Sequence, residues 1–226
     1  MHAQPENRFD LIAFDVDGTL VNAPDNMTVW EVLNRYFHGT SDMNKHRYRD
    51  YLAGKLTYAD WVDLDIKGWI GTGARKADLL AGFAPIRLIQ GAREALATLK
   101  ARGLRLAVIS GTLDLMLETL LPDHPFDEIH SNQISFDDQG RISDWRATPY
   151  DMQGKAEILK KIATRESIPL ARCAYIGDSS NDVWIAREAG FTIAINPKSD
   201  ELIKLADAVV RTDDLRNILP YLLPDA

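Results

Sequence analysis

Short apolar runs alternate with amphipathic helical patterns over most of this chain, and this alternation restricts the possible folds more than any other feature. In the segment Gly91–Arg102, apolar residues recur at the i, i+3, i+4, i+7 spacing of a helix, and Gly103 follows as a stop signal. Gly154–Arg165 and Ser180–Ala189 repeat this pattern. Strands that alternate with helices predict a parallel sheet with helices on both faces. The predicted strands are Leu11–Phe14, Leu104–Ile109, Ala174–Ile176, Thr192–Ile195 and Ala208–Val210.

The alternation is interrupted from about Pro24 to Leu88, where helical patterns follow one another and no strand is predicted. Three of the five tryptophans lie there, at a helical spacing that favours packing between helices. We therefore predict a helical insert of residues 22–88, called the cap below, in a core domain made of residues 1–21 and 89–226. A second interruption, Gln133–Asp144, has two short alternating runs around Asp-Asp-Gln-Gly and predicts a β-hairpin.

The composition is that of an ordinary globular chain, with 226 residues and a formal net charge of −7. The negative charge argues against nucleic acid or an anionic membrane as the main partner, although a local pocket can still bind a small anion. A single cysteine excludes an internal disulfide and fits a reducing compartment. Because neither a signal peptide nor a membrane-length apolar run is present, we expect a soluble cytoplasmic protein. The oligomeric state is not evident from the sequence.

Polar residues follow several predicted strands, at the position where an open parallel sheet binds its ligands. Asp15 and Asp17 follow the first strand, in the sequence FDVDGTLVN, and Ser110 follows the second. Lys155 begins a predicted helix, and the segment Gly177–Asp182 (GDSSND) follows the third strand. We therefore expect these groups to face one crevice. An Asp-Gly pair also favours a tight hairpin turn, so the first motif alone does not distinguish a turn from a reactive site.

The residues of this crevice suit phosphoryl transfer. The Asp15 carboxylate can attack phosphorus to form an aspartyl-phosphate, and Asp17 can protonate the leaving oxygen and later activate water. Mg²⁺ prefers oxygen ligands, which Asp15 and Asp178 would supply, and Lys155 would add positive charge beside the phosphate. Ser110 and backbone N–H groups of the glycine-containing loops can hold phosphate oxygens.

In this order the motifs resemble those of the haloacid dehalogenase (HAD) superfamily of phosphohydrolases, and most closely its phosphoserine phosphatase subgroup. The matching segments are DVDGT (Asp15–Thr19), Ser110 of VISGT, Lys155 and Gly177–Asp182, which together span essentially the whole chain. The resemblance implies an α/β fold with a Rossmann-like, three-layer parallel-sheet core and an inserted helical cap domain. It also implies a Mg²⁺-dependent phosphomonoesterase that hydrolyses a small phosphorylated metabolite through an aspartyl-phosphate.

The resemblance also implies roles for individual residues of these motifs. Asp15 is the expected nucleophile, Asp17 is the expected general acid and base, and Lys155 is the expected catalytic cation. Metal ligands are expected from the carboxylates of Asp15 and Asp178 and from the backbone carbonyl of Asp17. Asp182 is expected beside the metal without binding it directly. The residues expected to contact the phosphate are Ser110, Gly111, Thr19 and Asn181.

Other functions and structural roles are compatible with parts of this pattern. A mutase or phosphotransferase would form the same aspartyl-phosphate and pass it to an alcohol, which the sequence does not distinguish from hydrolysis. A response-regulator receiver uses similar residues, but it is shorter, lacks a cap and places its acceptor after a middle strand. The purely structural alternatives are a helix N-cap for Ser110 and solvated helix positions for Lys155 and Asp182.

The cap departs from the phosphoserine phosphatase pattern at two places. Pro24 stands where that subgroup has a glutamate that binds the substrate's amine, with Asp25 next to it. Asp63 and Asp65 stand where basic residues are expected, including the arginine that binds the substrate's carboxylate. From the helical pattern we expect Asp63, Asp65 and the segment Lys45–Arg49 on solvated faces. The alternatives are substrate contacts for the two aspartates and recognition of an anion by Lys45–Arg49. We therefore predict a small phosphomonoester other than phosphoserine, with an amine or an apolar leaving group.

Overall fold

The computed structural model describes residues 7–149 and 152–224, and its centre is a seven-stranded sheet. The strands in these residues are β1 (Leu11–Phe14), β2 (Val21–Asn22), β3 (Arg87–Leu88), β4 (Arg105–Leu113), β5 (Glu128–Phe136), β6 (Ile142–Arg146), β7 (Cys173–Gly177), β8 (Phe191–Ile195) and β9 (Ala208–Val210). The sheet order is β6–β5–β4–β1–β7–β8–β9, and every neighbouring pair is parallel except β5 with β6. A separate antiparallel ribbon consists of β2 and β3.

The strand β1 lies at the centre of the sheet, and all of its residues are apolar and buried. Leu11 pairs with Arg105 of β4 on one side and with Cys173 of β7 on the other. A parallel strand buried on both faces has a continuous apolar sequence, as the run Leu11–Phe14 does. The residue that follows Phe14 is therefore placed near the middle of the sheet's carboxyl edge.

Helices cover both faces of the sheet. On one face, Ile12 and Phe14 join an apolar cluster that includes Leu96. Leu11 and Ala13 point to the opposite face, as successive residues of a strand do, and pack with apolar residues of the helix Gln153–Arg165. This three-layer arrangement confirms the predicted α/β fold. The α-helices of the described residues are α1 (Val29–His38), α2 (Asp42–Leu52), α3 (Tyr58–Gly71), α4 (Lys76–Gly82), α5 (Ala92–Ala101), α6 (Asp114–Leu120), α7 (Gln153–Arg165), α8 (Val183–Ala186), α9 (Asp200–Leu205) and α10 (Leu219–Leu222).

None of the helices within residues 7–149 and 152–224 combines the length and the apolar character that a membrane crossing requires.

The cap contains α1 to α4, which follow one another between the ribbon strands β2 and β3. Val21 pairs with Leu88, so the chain leaves and re-enters the core through neighbouring strands. Thr28 and Thr57 begin α1 and α3 with capping boxes, in which each threonine accepts a backbone hydrogen bond. The helical insert is observed as predicted. The expectation of no strand before Leu88 is wrong only for β3, because two residues carry no readable periodicity.

Three other elements differ from their predicted bounds by more than one residue at an end. The strand β4 continues to Leu113, with an irregular register in its last residues. The strand β5 begins at Glu128 parallel to β4 and then turns back through antiparallel β6, so the predicted hairpin at Gln133–Asp144 is confirmed. The predicted helix Ser180–Ala189 is a 3₁₀ turn followed by the short helix α8. The α-helix that follows β7 is therefore shorter than predicted.

Candidate active site

Three strands end near the middle of the sheet's carboxyl edge, and each brings a polar side chain to the same place. Asp15 follows β1, Ser110 lies near the end of β4, and Asp178 follows β7. All three are buried, and all three line one cavity of about 210 Å³. The structure thus brings together the groups that the strand-end argument selected.

The chain turns sharply after β1. Gly18 has a φ of +82°, in the left-handed region that favours glycine, and its N–H donates to the carbonyl of Val21 at 2.8 Å. A Cβ atom at Gly18 would collide with the carboxylate of Asp178. The Asp-Gly pair does form a tight turn, and glycine there lets Asp178 lie directly against the loop that carries Asp15 and Asp17.

Lys155 provides a fully buried positive charge next to Asp15. Its Nζ lies 2.9 Å from Oδ1 of Asp15 and 2.6 Å from Oδ1 of Asp182. Burial by itself lowers the pKa of Lys155, but the charges of Asp15 and Asp182 outweigh burial and raise this pKa, so the ammonium stays charged. Burial raises the pKa of Asp15, and Lys155 opposes that increase. The solvated alternative for Lys155 is wrong, because this position lies on the buried face of α7.

Asp182 is also fully buried, and both of its carboxylate oxygens are occupied. Oδ1 accepts hydrogen bonds from Nζ of Lys155 at 2.6 Å and from the hydroxyl of Tyr175 at 2.5 Å. Oδ2 accepts hydrogen bonds from the backbone N–H groups of Asp178 at 2.8 Å and Ser179 at 3.1 Å. Asp182 therefore orients the lysine and the loop after β7, which agrees with a place beside a metal ion and excludes the solvated alternative.

Tyr175 and Lys198 belong to this group of residues, and both are missing from the sequence-based prediction. Lys198 lies shortly after β8, where its Nζ is 2.8 Å from Oδ2 of Asp178 and its N–H donates to the Asp178 carbonyl at 2.7 Å. Applying the strand-end argument to β8 as well would have identified Lys198. Tyr175 lies inside the apolar strand β7, and its polar hydroxyl was the one available signal.

The space between Asp15 and Asp178 suits a cation that prefers oxygen ligands. One carboxylate oxygen each of Asp15, Asp178 and Asp182 lies within 4.8 Å of the others, and the two oxygens of Asp182 are already engaged by hydrogen bonds. Oδ1 of Asp178 accepts no hydrogen bond from any residue that the structure describes. Burial, followed by the charges of Asp182 and Asp15, raises the pKa of Asp178 to about 7. A divalent cation with oxygen ligands would satisfy Oδ1 and reduce the repulsion among the carboxylates.

Asp17 connects the core to the first helix of the cap. Its Oδ1 accepts a hydrogen bond of 3.1 Å from the N–H of Val29, the first residue of α1. Burial raises the pKa of Asp17 to about 7, the charge of Asp15 adds to the increase, and the hydrogen bond from Val29 opposes it. A carboxyl group that titrates near neutral pH can both give and accept a proton, as a general acid and base must.

The predicted phosphate contacts are divided between the cavity wall and the protein interior. Gly111 lines the cavity, and its carbonyl accepts the indole N–H of Trp30 from the cap at 2.8 Å. Thr19 is fully buried and does not line the cavity, so the structure does not bring its side chain to the predicted position. The other two predicted contacts, which do line the cavity, are Ser110 and Asn181.

The cavity has two halves with different linings. The core half consists of Asp15, Asp17, Ser110, Gly111, Asp178, Ser179, Asn181 and Lys198, and the cap half consists of Asn26, Thr28, Trp30, Tyr58, Trp61, Val62 and Asp65. The cap tryptophans pack as predicted, since Trp69 is buried and stacks on Trp30 with 5.4 Å between ring centroids. Trp30 and Trp61 also reach the cavity. The cavity volume of about 210 Å³ lies below the roughly 300–1,000 Å³ typical of pockets for larger ligands, which favours a small ligand.

Asp65 is buried, so the prediction of a solvated position is wrong for this residue. Its side chain is 1% exposed. Oδ1 accepts hydrogen bonds from the Asn34 amide at 2.7 Å and from the guanidinium of Arg47. Burial raises the pKa of Asp65 to about 6, and Asn34, Arg47 and the indole of Trp61 oppose this increase. Asp65 is therefore packed inside the cap, beside the cavity, and does not lie on a solvated face.

Arg47 and Asp63 show which side of α3 is covered. Arg47 belongs to the segment Lys45–Arg49, and the solvated prediction is wrong for it, since its side chain is 21% exposed and pairs with Asp65. Asp63 is partly exposed and pairs with Lys67 at 2.6 Å, as a solvated face allows. The helix α3 packs against α1 and α2, and this packing covers Asp65.

Pro24 and Asp25 lie in a short 3₁₀ turn before α1. Asp25 is exposed and pairs with Arg35 at 2.9 Å. Neither residue lines the cavity, so this turn does not supply a carboxylate in place of the glutamate of the phosphoserine phosphatase pattern.

Comparisons with known sequences agree with this arrangement. A family model described as haloacid dehalogenase-like hydrolase matches residues 9–190. A phosphoserine phosphatase of Methanocaldococcus jannaschii is 30% identical over 217 residues, which cover 96% of this chain and 99% of that relative. A phosphoserine phosphatase of Idiomarina loihiensis is 29% identical over 209 residues, which cover 92% of this chain and 91% of that relative.

Solved structures give the same result. A structure described as a phospho-aspartyl intermediate analogue of phosphoserine phosphatase has a TM-score of 0.75 at 28% identity, covering 95% of this chain and 99% of that chain. A substrate-bound phosphoserine phosphatase complex has a TM-score of 0.74 at 28% identity, covering 96% of this chain and all of that chain. The chain therefore belongs to the haloacid dehalogenase-like hydrolase family, as a phosphoric monoester hydrolase related to the phosphoserine phosphatases.

Proposed function

We propose that this chain is a Mg²⁺-dependent phosphomonoesterase that hydrolyses a small phosphorylated metabolite through an aspartyl-phosphate on Asp15. The observation that carries the proposal is the buried group formed by Asp15, Lys155 and Asp178. Nζ of Lys155 lies 2.9 Å from Asp15, and Asp178 has one oxygen that no described residue hydrogen-bonds. The solved structure of a related phosphoserine phosphatase, described as a phospho-aspartyl intermediate analogue, supports the same intermediate.

In the first half-reaction, a carboxylate oxygen of Asp15 attacks phosphorus, and the bond from phosphorus to the ester oxygen breaks. Lys155 reduces the repulsion between the carboxylate and the phosphate dianion. Asp17 gives its proton to the leaving oxygen, so the alcohol departs neutral. Mg²⁺, held by Asp15, Asp178 and the backbone carbonyl of Asp17, would supply further positive charge at the phosphate.

In the second half-reaction, water replaces the alcohol. Asp17, now ionised, takes a proton from the water molecule as the water oxygen attacks phosphorus. The bond from phosphorus to Asp15 breaks, phosphate leaves, and both carboxyl groups return to their starting states. Uncatalysed hydrolysis of phosphate monoesters is so slow that enhancements reach about 10²¹, and positioning with charge neutralisation supplies most of it.

The proposal is tested by phosphate release from p-nitrophenyl phosphate, with Mg²⁺ and with a chelator. Release in the absence of any added alcohol would separate hydrolysis from transfer to an acceptor. Acid quenching followed by peptide mass spectrometry should find one phosphoryl group on Asp15 in the wild type. Failure of Mg²⁺ to support release from any phosphate ester would overturn the proposal, and so would a phosphoryl group on a different residue.

A further inference from the structure

Three aromatic side chains of the cap half are held in place by hydrogen bonds to core residues and by packing between rings. Trp30 donates its indole N–H to the carbonyl of Gly111 at 2.8 Å. The hydroxyl of Tyr58 accepts the amide N–H of Asn132 at 2.7 Å, and Trp61 packs on Tyr58 with 6.4 Å between ring centroids. The polar groups of Trp30 and Tyr58 are therefore engaged by the core, and their rings are presented to the cavity.

Asp65 lines the same half of the cavity, and the indole of Trp61 approaches its carboxylate as a hydrogen-bond donor. Oδ1 is occupied by Asn34 and Arg47, whereas Oδ2 accepts no hydrogen bond of normal geometry from the residues in the described ranges. The side chain is 1% exposed, so bulk water does not satisfy Oδ2. An unpaired buried acceptor is unfavourable, and a ligand that donates a hydrogen bond there removes the penalty.

The cap half offers no positive charge to a ligand. Among the described residues, Lys198 is the one basic side chain along the cavity wall, and it pairs with Asp178 in the core half. Arg47 pairs with Asp65 but does not line the cavity. A ligand carboxylate in the cap half would therefore lie near Asp65 without a counter-ion, which is unfavourable in a buried site.

We propose that the cap half binds an organic ammonium group, so that the preferred substrates are phosphate monoesters of amino alcohols that carry no carboxylate. Faces of tryptophan and tyrosine rings attract ammonium groups, and a primary ammonium can also donate to Oδ2 of Asp65. The inference rests on the proposed function, because the phosphate end of the same molecule must lie at Asp15. It narrows the substrate class from small phosphate esters in general to cationic ones.

The first test compares four esters on the wild-type chain with Mg²⁺: ethanolamine phosphate, choline phosphate, propyl phosphate and phosphoserine. Propyl phosphate is a neutral ester of similar size, and phosphoserine adds a carboxylate to the amine. We expect kcat/KM for at least one of the two ammonium esters to exceed kcat/KM for propyl phosphate by about tenfold or more. The same ester should also have a higher kcat/KM than phosphoserine. A preference for phosphoserine, or equal rates for propyl phosphate, would overturn the inference.

The second test compares Asp65→Asn with Asp63→Asn, its matched control on the same helix. Asp65→Asn should lower kcat/KM for ethanolamine phosphate about tenfold more than for propyl phosphate, whereas Asp63→Asn should leave the ratio of the two unchanged. An equal fall for both esters would show a merely structural role and overturn the inference. If Asp65→Asn does not fold, Trp61→Leu provides the same comparison, with the larger loss expected for choline phosphate.

The third test, Arg47→Gln, separates this arrangement from one in which the guanidinium binds a substrate carboxylate. We expect the ratio of kcat/KM for ethanolamine phosphate to kcat/KM for propyl phosphate to stay the same or rise, because Asp65 loses its neutralising partner. A fall in that ratio, or a selective loss of phosphoserine hydrolysis from a chain that prefers phosphoserine, would overturn the inference. Hydrolysis of p-nitrophenyl phosphate without any preference for ammonium esters overturns this inference alone. Absence of hydrolysis of every ester overturns the proposed function with it.

Discussion

Each half of the cavity contains a buried carboxylate oxygen that accepts no hydrogen bond of normal geometry from a described residue. In the core half it is Oδ1 of Asp178, whose Oδ2 pairs with Lys198, and in the cap half it is Oδ2 of Asp65. The surroundings of the two oxygens differ. Asp178 follows a strand and lies close to the carboxylates of Asp15 and Asp182. Asp65 lies on a helix in a wall that contains three aromatic side chains. The first environment suits a metal ion and the second an organic cation, so the neighbours determine what an unpaired carboxylate can bind.

The same comparison separates reaction from selection. In the core half, the proposed nucleophile Asp15, Lys155 and the acidic loop after β7 hold one another through buried ion pairs and hydrogen bonds. In the cap half, the aromatic side chains are held by hydrogen bonds to core residues and by packing between rings, and they leave space for a leaving group. Variants of the core half should therefore remove turnover of all esters, and variants of the cap half should change which ester is preferred.

The largest effect is expected for Asp15→Asn. Removal of a covalent nucleophile should lower kcat for p-nitrophenyl phosphate by at least about 10⁴-fold. The far-UV circular dichroism should stay that of the wild type, because asparagine has almost the same shape. Asp144→Asn, at an exposed position of β6, is the matched control and should keep its activity. Activity of Asp15→Asn within about tenfold of the wild type would contradict the assignment of the nucleophile.

The second prediction concerns the buried lysine. Lys155→Met leaves the carboxylates of Asp15 and Asp182 buried without their cation, which should lower the free energy of unfolding by about 3–5 kcal/mol. Thermal unfolding should show a decrease in Tm of about 10 °C. Lys161→Met, at an exposed position of the same helix, should change Tm by little. Similar Tm values for the two variants would mean that the ion pairs do not hold the core half together.

A third prediction tests whether residues 22–88 act as a cap that closes over the core half. The cap already contacts the core next to Asp15, because the N–H of Val29 donates to Asp17. A phosphate analogue bound at Asp15 should therefore favour the arrangement in which the cap lies closed over the core half. Limited proteolysis with Mg²⁺ and orthovanadate should cleave within residues 22–88 more slowly than with Mg²⁺ alone. Asp15→Asn, which should not bind the analogue covalently, is the control. An unchanged rate of cleavage in the wild type would argue against closure.

The smallest effect is expected from Asp114, a partly buried carboxyl at the start of α6. Burial raises its pKa to about 6, against hydrogen bonds from the N–H groups of Leu115 and Ile134. Because the folded state binds this proton more tightly than the unfolded state, the group's contribution to stability is present below about pH 4 and is lost as the pH rises through about 6.

Asp114→Asn should therefore be more stable than the wild type at pH 7 and nearly equal to it at pH 4. The difference should be about 1 kcal/mol after allowance for partial exposure, or about 3 °C in Tm. Thermal unfolding of both proteins at pH 4, 5, 6 and 7 measures it. A difference that stays constant with pH would show that Asp114 does not titrate in this range.

The core half could be predicted to a large extent because it follows from local patterns. Asp15, Ser110 and Asp178 each come at or near the end of an apolar run, and the ends of parallel strands meet at one edge of a sheet. Lys155 was placed by its position at the start of α7. Tyr175 was missed because its role depends on Asp182, which reaches it through the turn after β7. The hydroxyl inside an apolar strand is a signal in the sequence, but it does not say which residue it contacts.

The cap half could be predicted only as a set of helices. Asp63 and Asp65 are two residues apart on α3, which places them about 200° apart around the helix axis. Both were expected on a solvated face, yet their angular separation requires that they face different surroundings. Which of the two is buried depends on where α1 and α2 pack, and helical periodicity does not contain that information.

By itself, the sequence determined the alternation of strands and helices, the helical insert after the first strand and the acidic, hydroxyl and lysine positions of the core half. These features are local, since each depends on spacing along the chain. Only the tertiary structure decided that Asp65 and Arg47 are paired inside the cap, and that Asp178 and Asp65 keep an unpaired oxygen. Whether a buried group is satisfied depends on all of its neighbours in space, and packing brings those neighbours from distant parts of the chain.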